Sequence, residues 1–318
     1  MADTLDAILK KYGAKESETI RKAFEFAKNI HEGQKRDSGE EYLVHPVETA
    51  KILADFDMDF ETVSAGILHD VLEDSDLKPE DIKKEFGQNI AFLVQSVTKL
   101  NRVSYSPDVW DRGSDSKRRS GEKGYIENFH KMILATAKDI RVVLIKLADR
   151  LHNLETIETF KGNKERIAME SLEVYAPLAS RLGMGEIKGI MEDYSFPYVY
   201  PEEYKKLIGF VSDKIEINKK YVSGIKPEVE RILKENGIKF LSLSARAKHL
   251  YSLWRKLQRY DFNLERIHDL VALRVIVPDV ASCYETLGIL HKYWQPLPSR
   301  IKDFIALPKP NGYQSLHT

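Results

Sequence analysis

Apolar residues recur every three to four positions through 4–31, 46–57, 60–73, 79–100, 125–138, 140–160 and 164–182, which predicts a succession of amphipathic helices. Between the fourth and fifth, 101–124 is rich in Ser, Asp, Lys, Arg and Gly and predicts a loop, in which Lys117, Arg118 and Arg119 read better as a solvated stretch than as an anion site. Two prolines within 195–204 mark a junction between domains, and 204–236 reads as one long charged helix. Beyond it the pattern turns to strand and helix. The stretch 268–277, HDLVALRVIV, predicts a buried strand with an acid, Asp269, at its entrance, where it could hold a phosphate-bound metal. The expected fold is mainly α, with an α/β second part.

Composition narrows the class. A chain of 318 residues with 42% hydrophobic content suits two domains with compact cores. Lys+Arg and Asp+Glu both number 49, so bulk attraction to nucleic acid is excluded and any anion must be held locally. The one cysteine, Cys283, rules out an internal disulfide framework, and the opening MADTLDAILKKYG is too polar for a signal peptide or membrane span. A cytoplasmic protein is expected.

Two strings in the helical part carry candidate chemistry. HDVLED holds His69, Asp70, Glu73 and Asp74 in a stretch, 67–74, read as helical, where positions four apart share a face. Metal ligands must leave a place for water, and a nearby carboxylate must take the proton of that water. His69 and Asp70 are therefore assigned to a metal, and Glu73 and Asp74 to water. Taken alone, HDVLED fits a solvated helix face equally well. The second string, KLADRLHN over 146–153, shifts the balance. It sets Asp149 and Asn153 four apart in a strongly apolar helix, where a carboxylate needs a partner: a metal, or an ion pair with Lys146 or Arg150. With His45, the strings supply the mixed nitrogen and oxygen set that accepts Mn²⁺ or Fe²⁺. A metal-dependent hydrolase is the favoured class.

In the second part, 244–259 reads SARAKHLYSLWRKLQR. Its cations, interleaved with Tyr251 and Trp254, suit a nucleotide, while Leu250, Leu253 and Leu257 at helical spacing suit the buried stripe of a basic amphipathic helix. Spacing favours the second, and both can hold.

Taken in order, Arg36-Asp37-Ser38-Gly39-Glu40 with Tyr42 and His45-Pro46, HDVLED, Val97-Thr98-Lys99-Leu100, Glu127-Asn128-Phe129, KLADRLHN, and Tyr175-Ala176-Pro177-Leu178-Ala179 with Arg181-Leu182-Gly183 resemble the RelA/SpoT homologue family. Those stringent-response enzymes make and degrade (p)ppGpp. The resemblance implies an all-helical HD-type hydrolase domain over 1–195 that removes the 3′-pyrophosphate of (p)ppGpp with Mn²⁺. It implies the N-terminal part of an α/β, nucleotidyltransferase-like synthetase domain over 196–318.

Carried over, the metal ligands fall on His45, His69, Asp70 and Asp149, and the water-activating acids on Glu73 and Asp74, with Arg36 and Asn153 joining the catalytic set. Arg36, Ser38, Asn153 and Thr156 would surround the guanine nucleotide. In the synthetase part, Arg246, Lys248 and Arg274 would hold ATP, Lys302 would also meet nucleotide, Asp269 would bind Mg²⁺ and Tyr313 would stack on guanine. The RxKD form of Arg300 to Asp303 agrees with members that also hydrolyse.

Departures accompany the likeness. Asp37 stands where the family usually carries lysine, Glu41 where proline is common, Ser75 follows the acid pair, and Glu155 replaces a usual basic residue. Ala245 and Ala247 flank Arg246 in place of glycine and proline. The family's catalytic glutamate and its Gln-Ile-Arg-Thr segment correspond to positions beyond Thr318, so synthesis is expected to be lost in this chain and a sheet edge left unpaired. Three functions follow: (p)ppGpp hydrolase, GTP/GDP pyrophosphokinase, or a nucleotide-sensing protein without turnover. The expected partners are (p)ppGpp, GDP, GTP and ATP, with no membrane, nucleic acid or ribosome.

Overall fold

The computed structural model describes residues 1–104, 138–267, 269–297 and 299–318. The expectations for Lys117, Arg118, Arg119, Glu127, Asn128, Phe129 and the helix 125–138 fall, all but its final residue, outside the described residues, as does His268. Two compact units emerge, Met1–Tyr175 and Ala176–Thr318. No helix among the described residues is long and apolar enough to cross a membrane.

In the first unit, α1 (Ala2–Leu9) and α2 (Ala14–Ile30) replace the single helix predicted over 4–31. Gly13 is extended and caps α2, its N–H donating to the Glu16 carboxylate at 2.9 Å, while the Ser17 hydroxyl donates to the Leu9 carbonyl. Then come α3 (Val44–Asp55), α4 (Phe60–Ile67), α5 (Pro79–Ser104), kinked at Gly87, and α6 (Ile140–Glu155). Their apolar stripes meet in one core, with Ile20 and Ala23 of α2, Ala50 and Leu53 of α3, Val63 and Ile67 of α4, Val94 of α5 and Ile145 and Ala148 of α6 buried. Each large aliphatic side chain so buried contributes roughly 1.5–3 kcal/mol.

One correction bears on the chemistry. The helix predicted to run through HDVLED stops at Ile67, and the motif continues as successive turns. The His69 Nδ1–H donates to the Gly66 carbonyl at 2.8 Å, occupying the acceptor that the next helical N–H would use. The Asp74 N–H still reaches the Asp70 carbonyl at 3.0 Å, so those two remain one turn apart; the helical-face argument for His69 and Glu73 does not survive. Gly66 is there because α3 and α4 touch: a Cβ on it would lie 2.5 Å from Leu53 Cδ1.

After α6, α7 (Lys164–Glu170) passes into a π-helical stretch, Ser171–Tyr175, with α8 (Ala176–Arg181) next in the chain. In the second unit, α9 (Gly185–Val199) and α10 (Pro201–Glu235) abut at Tyr200. The two prolines read as marking a domain junction are helical: Pro197 lies inside α9, and Pro201 opens α10, where its missing N–H has no intrahelical partner to lose. The long charged helix predicted over 204–236 is α10.

Strand β1 (Ser242–Ala247) pairs antiparallel with β2 (Val271–Ile276), Ser244 opposite Arg274 and Arg246 opposite Ala272. Of the stretch predicted as a buried strand, Leu270 and Val271 are buried while Ile276 is exposed, because the two-stranded ribbon is covered unevenly. Helix α11 (Leu250–Gln258) buries Leu253 and Leu257 as its spacing predicts, against Phe196, Leu207 and Val211. Trp254 and Tyr251 pack in that same cluster, so the aromatics between the cations serve the core. Helix α12 (Val280–Tyr293) and a short pair, β3 (Lys302–Asp303) and β4 (Leu316–His317), complete the unit.

Candidate functional site

Three elements of the first unit converge on one point. Helix α3 brings His45, the turns after α4 bring His69 and Asp70, and α6 brings Asp149; all but Asp70, which is partly buried, are buried. His45, His69 and Asp149 each offer a ligand atom within 4.8 Å of the others. Asp149 Oδ1 lies 3.2 Å from His45 Nε2 and 3.8 Å from His69 Nε2, and Asp70 Oδ2 lies 3.2 Å from His69 Nε2 and 3.9 Å from His45 Nε2. Ligands held ~2.1 Å from one ion sit about 3–4 Å apart, so the set has the dimensions of a metal centre.

The donor set passes a second test. Because His69 Nδ1 donates to the Gly66 carbonyl, its Nε2 carries the lone pair, and that buried atom has no hydrogen-bond partner among the described residues. An orphaned imidazole nitrogen beside two carboxylates suits a divalent cation. Asp149 makes the expected ion pair with Lys146 through Oδ2 alone, while Oδ1 faces the imidazoles and accepts from Asn153 Nδ2 at 2.6 Å. Burial alone would raise the Asp149 carboxyl, but the Lys146 ammonium together with the facing imidazoles of His45 and His69 holds it well below its ordinary range. Arg150 turns away, pairing with Glu170 at 2.9 Å and lying over the Tyr175 ring.

Asp74 and Glu73 stand on the solvent side. Asp74 is pushed up by partial burial and then by the Asp70 carboxylate, which suits a group that takes a proton. Tyr42 donates its hydroxyl to Asp70 Oδ2 at 2.9 Å and stacks on buried His31, whose Nδ1 is 3.8 Å from Asp74 Oδ2.

Arg36 is presented by a small hairpin, in which Arg36 N–H donates to the Glu40 carbonyl and Gly39, at φ +87°, makes the turn that a side chain would strain. Its guanidinium donates to Asn153 Oδ1 at 3.0 Å and Thr156 Oγ1 at 3.3 Å and approaches His152 Nδ1 at 3.5 Å. Three of the four expected nucleotide residues are thus in contact. Ser38 lies at the exposed hairpin tip with its hydroxyl turned to Glu40. Asp37, the departure from the family's lysine, accepts from the Lys161 backbone N–H at 3.0 Å and anchors the hairpin.

Sequence reasoning passed over His152, Tyr42 and His31. His152 follows Asp149 by three on α6, the spacing that shares its face, and that was the available signal. Its Nδ1 is 2.8 Å from His45 Nδ1, and burial, His45 and Arg36 together push its pKa down to about 3.

In the second unit, paired register puts Arg246 and Arg274 on one face of the β1–β2 ribbon. Arg274 reaches Glu186 at 3.3 Å. Asp269 is held between Lys248 at 2.6 Å and Lys256 at 2.8 Å. Tyr313 bonds His317 Nε2 at 3.0 Å, and Lys302 pairs with His317 across β3 and β4. Burial lowers the His317 pKa, with Lys309, Lys302 and Arg246 adding to it and Asp269 opposing.

Comparison with known proteins adds a family context. The HD domain model matches residues 23–185, and the model of a region found in RelA / SpoT proteins matches 245–318. The chain is 43% identical over 320 residues to the guanosine-3′,5′-bis(diphosphate) 3′-pyrophosphohydrolase of Aquifex aeolicus, covering 100% of this chain and 43% of that one. It is 44% identical over 300 residues to a GTP pyrophosphokinase of Myxococcus xanthus, covering 94% and 38%. It is 43% identical over 300 residues to the bifunctional (p)ppGpp synthase/hydrolase SpoT of Escherichia coli K12, covering 94% and 41%. The chain therefore spans 38% to 43% of the length of these curated relatives.

Proposed function

Because the chain belongs to the RelA/SpoT family, we propose that its first unit hydrolyses the 3′-pyrophosphate of (p)ppGpp, releasing pyrophosphate and GDP or GTP. The observation that carries this reading is the convergence of His45, His69, Asp70 and Asp149 around His69 Nε2, which has no hydrogen-bond partner among the described residues. Mn²⁺ is the cation we assign to these four. When bound there, it supplies Lewis-acid polarisation of the phosphate and a lowered pKa for water.

The chain's own residues do the rest. Asp74, raised by burial and Asp70, accepts the proton of the attacking water at its carboxylate, with Glu73 as the neighbouring acid. The Arg36 guanidinium neutralises charge on the departing pyrophosphate and, with Asn153 and Thr156, orients the nucleoside. Asn153 also holds Asp149 Oδ1 in place. Ser38 meets the substrate only if the hairpin tip turns inward.

The test is release of pyrophosphate from ppGpp by the chain with and without Mn²⁺. Release that needs the metal and disappears in Asp149→Ala supports the proposal. Glu73→Gln combined with Asp74→Asn should leave Mn²⁺ bound while turnover falls by orders of magnitude; retained turnover would remove the assigned base.

The shared ribbon face of Arg246 and Arg274, with Tyr313 and Lys302 at His317, favours a second reading for the second unit, a site for ATP and guanine nucleotide with Mg²⁺ at Asp269. Isothermal titration of ATP and of GDP, with and without Mg²⁺, would test it, and a chain that binds neither would remove it. The single cysteine, Cys283, supports a reducing, cytoplasmic location for both.

A further inference from the structure

His152 holds neither a ligand position nor a base position, yet it touches both sides of the candidate site. It is buried, at 5% exposure, and its ring lies 4.9 Å from that of His45. The single nitrogen Nδ1 meets His45 Nδ1 at 2.8 Å and Arg36 Nη1 at 3.5 Å.

We propose that His152 is a positioning residue that sets the tautomer of His45 and ties that metal ligand to Arg36 through one shared nitrogen. The inference rests on the metal reading of His45. A guanidinium can only donate, so the nitrogen that faces it must present a lone pair. Only one proton fits between two Nδ1 atoms at hydrogen-bond distance, and it therefore belongs to His45. His45 Nε2 is left with its lone pair directed at the space between Asp149 Oδ1 and Asp70 Oδ2.

Removing the acceptor reverses this. Without His152 to receive the Nδ1 proton, His45 gains more by carrying its proton on Nε2 and donating to Asp149 Oδ1, 3.2 Å away. That proton occupies the ligand position and competes with the cation. Loss of such an orienting partner weakens metal binding by about 10–100-fold. Because His152 and Asp149 share α6, the orienting group and one ligand are carried by the same rigid element.

Two measurements on the full chain test the proposal. Long-range ¹H–¹⁵N imidazole correlation of the wild-type chain with Zn²⁺ as diamagnetic probe should find His152 protonated on Nε2 and His45 on Nδ1; His152 protonated on Nδ1 overturns it. Titration of free Mn²⁺ by electron paramagnetic resonance should find His152→Leu weakened about 10–100-fold and His152→Asn, whose carboxamide oxygen replaces the acceptor, close to wild type. Equal affinity for His152→Leu and wild type overturns it, as does His152→Asn as weak as His152→Leu with both folded by circular dichroism. Should either variant fail to fold, the tautomer measurement decides. A chain that binds Mn²⁺ with these tautomers and releases no pyrophosphate defeats the hydrolase reading and leaves this one standing; a wild-type chain that binds no Mn²⁺ defeats both.

Discussion

Lys146 and Asp149 form a buried ion pair in which the ammonium engages only Oδ2, leaving Oδ1 to the imidazoles of His45 and His69. One carboxylate thus serves as counter-ion on one side and candidate ligand on the other. The arrangement makes the ligand stable before any cation arrives, since an unpaired carboxylate at that depth would be costly.

Removing the ammonium should expose that cost. Lys146→Met leaves Asp149 charged and buried, and urea denaturation of the metal-free chain should find it destabilised by about 3–5 kcal/mol. Saturating Mn²⁺ should recover part of the loss, so the variant gains more stability from the cation than wild type does. An equal gain in both would mean that Asp149 does not meet the metal.

Metal removal has its own signature. At a concentration 100 times its Kd, Mn²⁺ should stabilise the wild-type chain by about 2.7 kcal/mol. Thermal melts with Mn²⁺ and with a chelator would measure it, and Asp149→Ala should abolish the difference. A persistent shift in that variant would locate the cation elsewhere.

Gly66→Ala tests the packing under the site. The new Cβ meets Leu53 Cδ1 at 2.5 Å in a fully buried contact between α3 and α4. Overpacking of this kind costs about 1–3 kcal/mol, measurable by denaturation. Since the Gly66 carbonyl holds His69, Mn²⁺ affinity should fall with it.

The second unit carries a pH-dependent term at Asp269. Burial alone would raise this carboxyl, but hydrogen bonds and charge from Lys248 and Lys256 bring it down to about 2 from an ordinary 3.8. A depressed pKa contributes stability that is present above about pH 4 and is lost as pH falls through about 2. The carboxylate is 50% exposed, so solvent screening trims the contribution to under about 1 kcal/mol. Carboxyl ¹³C titration should place the midpoint near 2, and Lys248→Met should move it upward; an unmoved midpoint would break the assignment.

The elements were largely legible because helical periodicity is a local property of the chain. Helix α6, the stripe of Leu253 and Leu257, and the long α10 all follow from spacing. The end of α4 was not, because a side chain took the helix's own acceptor: the imidazole of His69 caps Gly66, which spacing does not register. Spacing leaves the place of Tyr251 and Trp254 open between nucleotide and core, because what packs against them, Phe196, lies more than fifty positions earlier in the chain.

By itself, the sequence determined which chemical groups are available, with His45, His69, Asp70 and Asp149 as donors, Glu73 and Asp74 as acids and Arg36 as cation, and it put Asp149 on the helix it rides. Tertiary structure alone decided their partners, splitting Asp149 between Lys146 and the imidazoles, joining Asp37 to Lys161, and bringing His152 to His45 across 107 positions. Composition and periodicity record what each segment buries. Where two such segments cross depends on the packing of their apolar faces, and only that crossing sets the distances on which a metal centre depends.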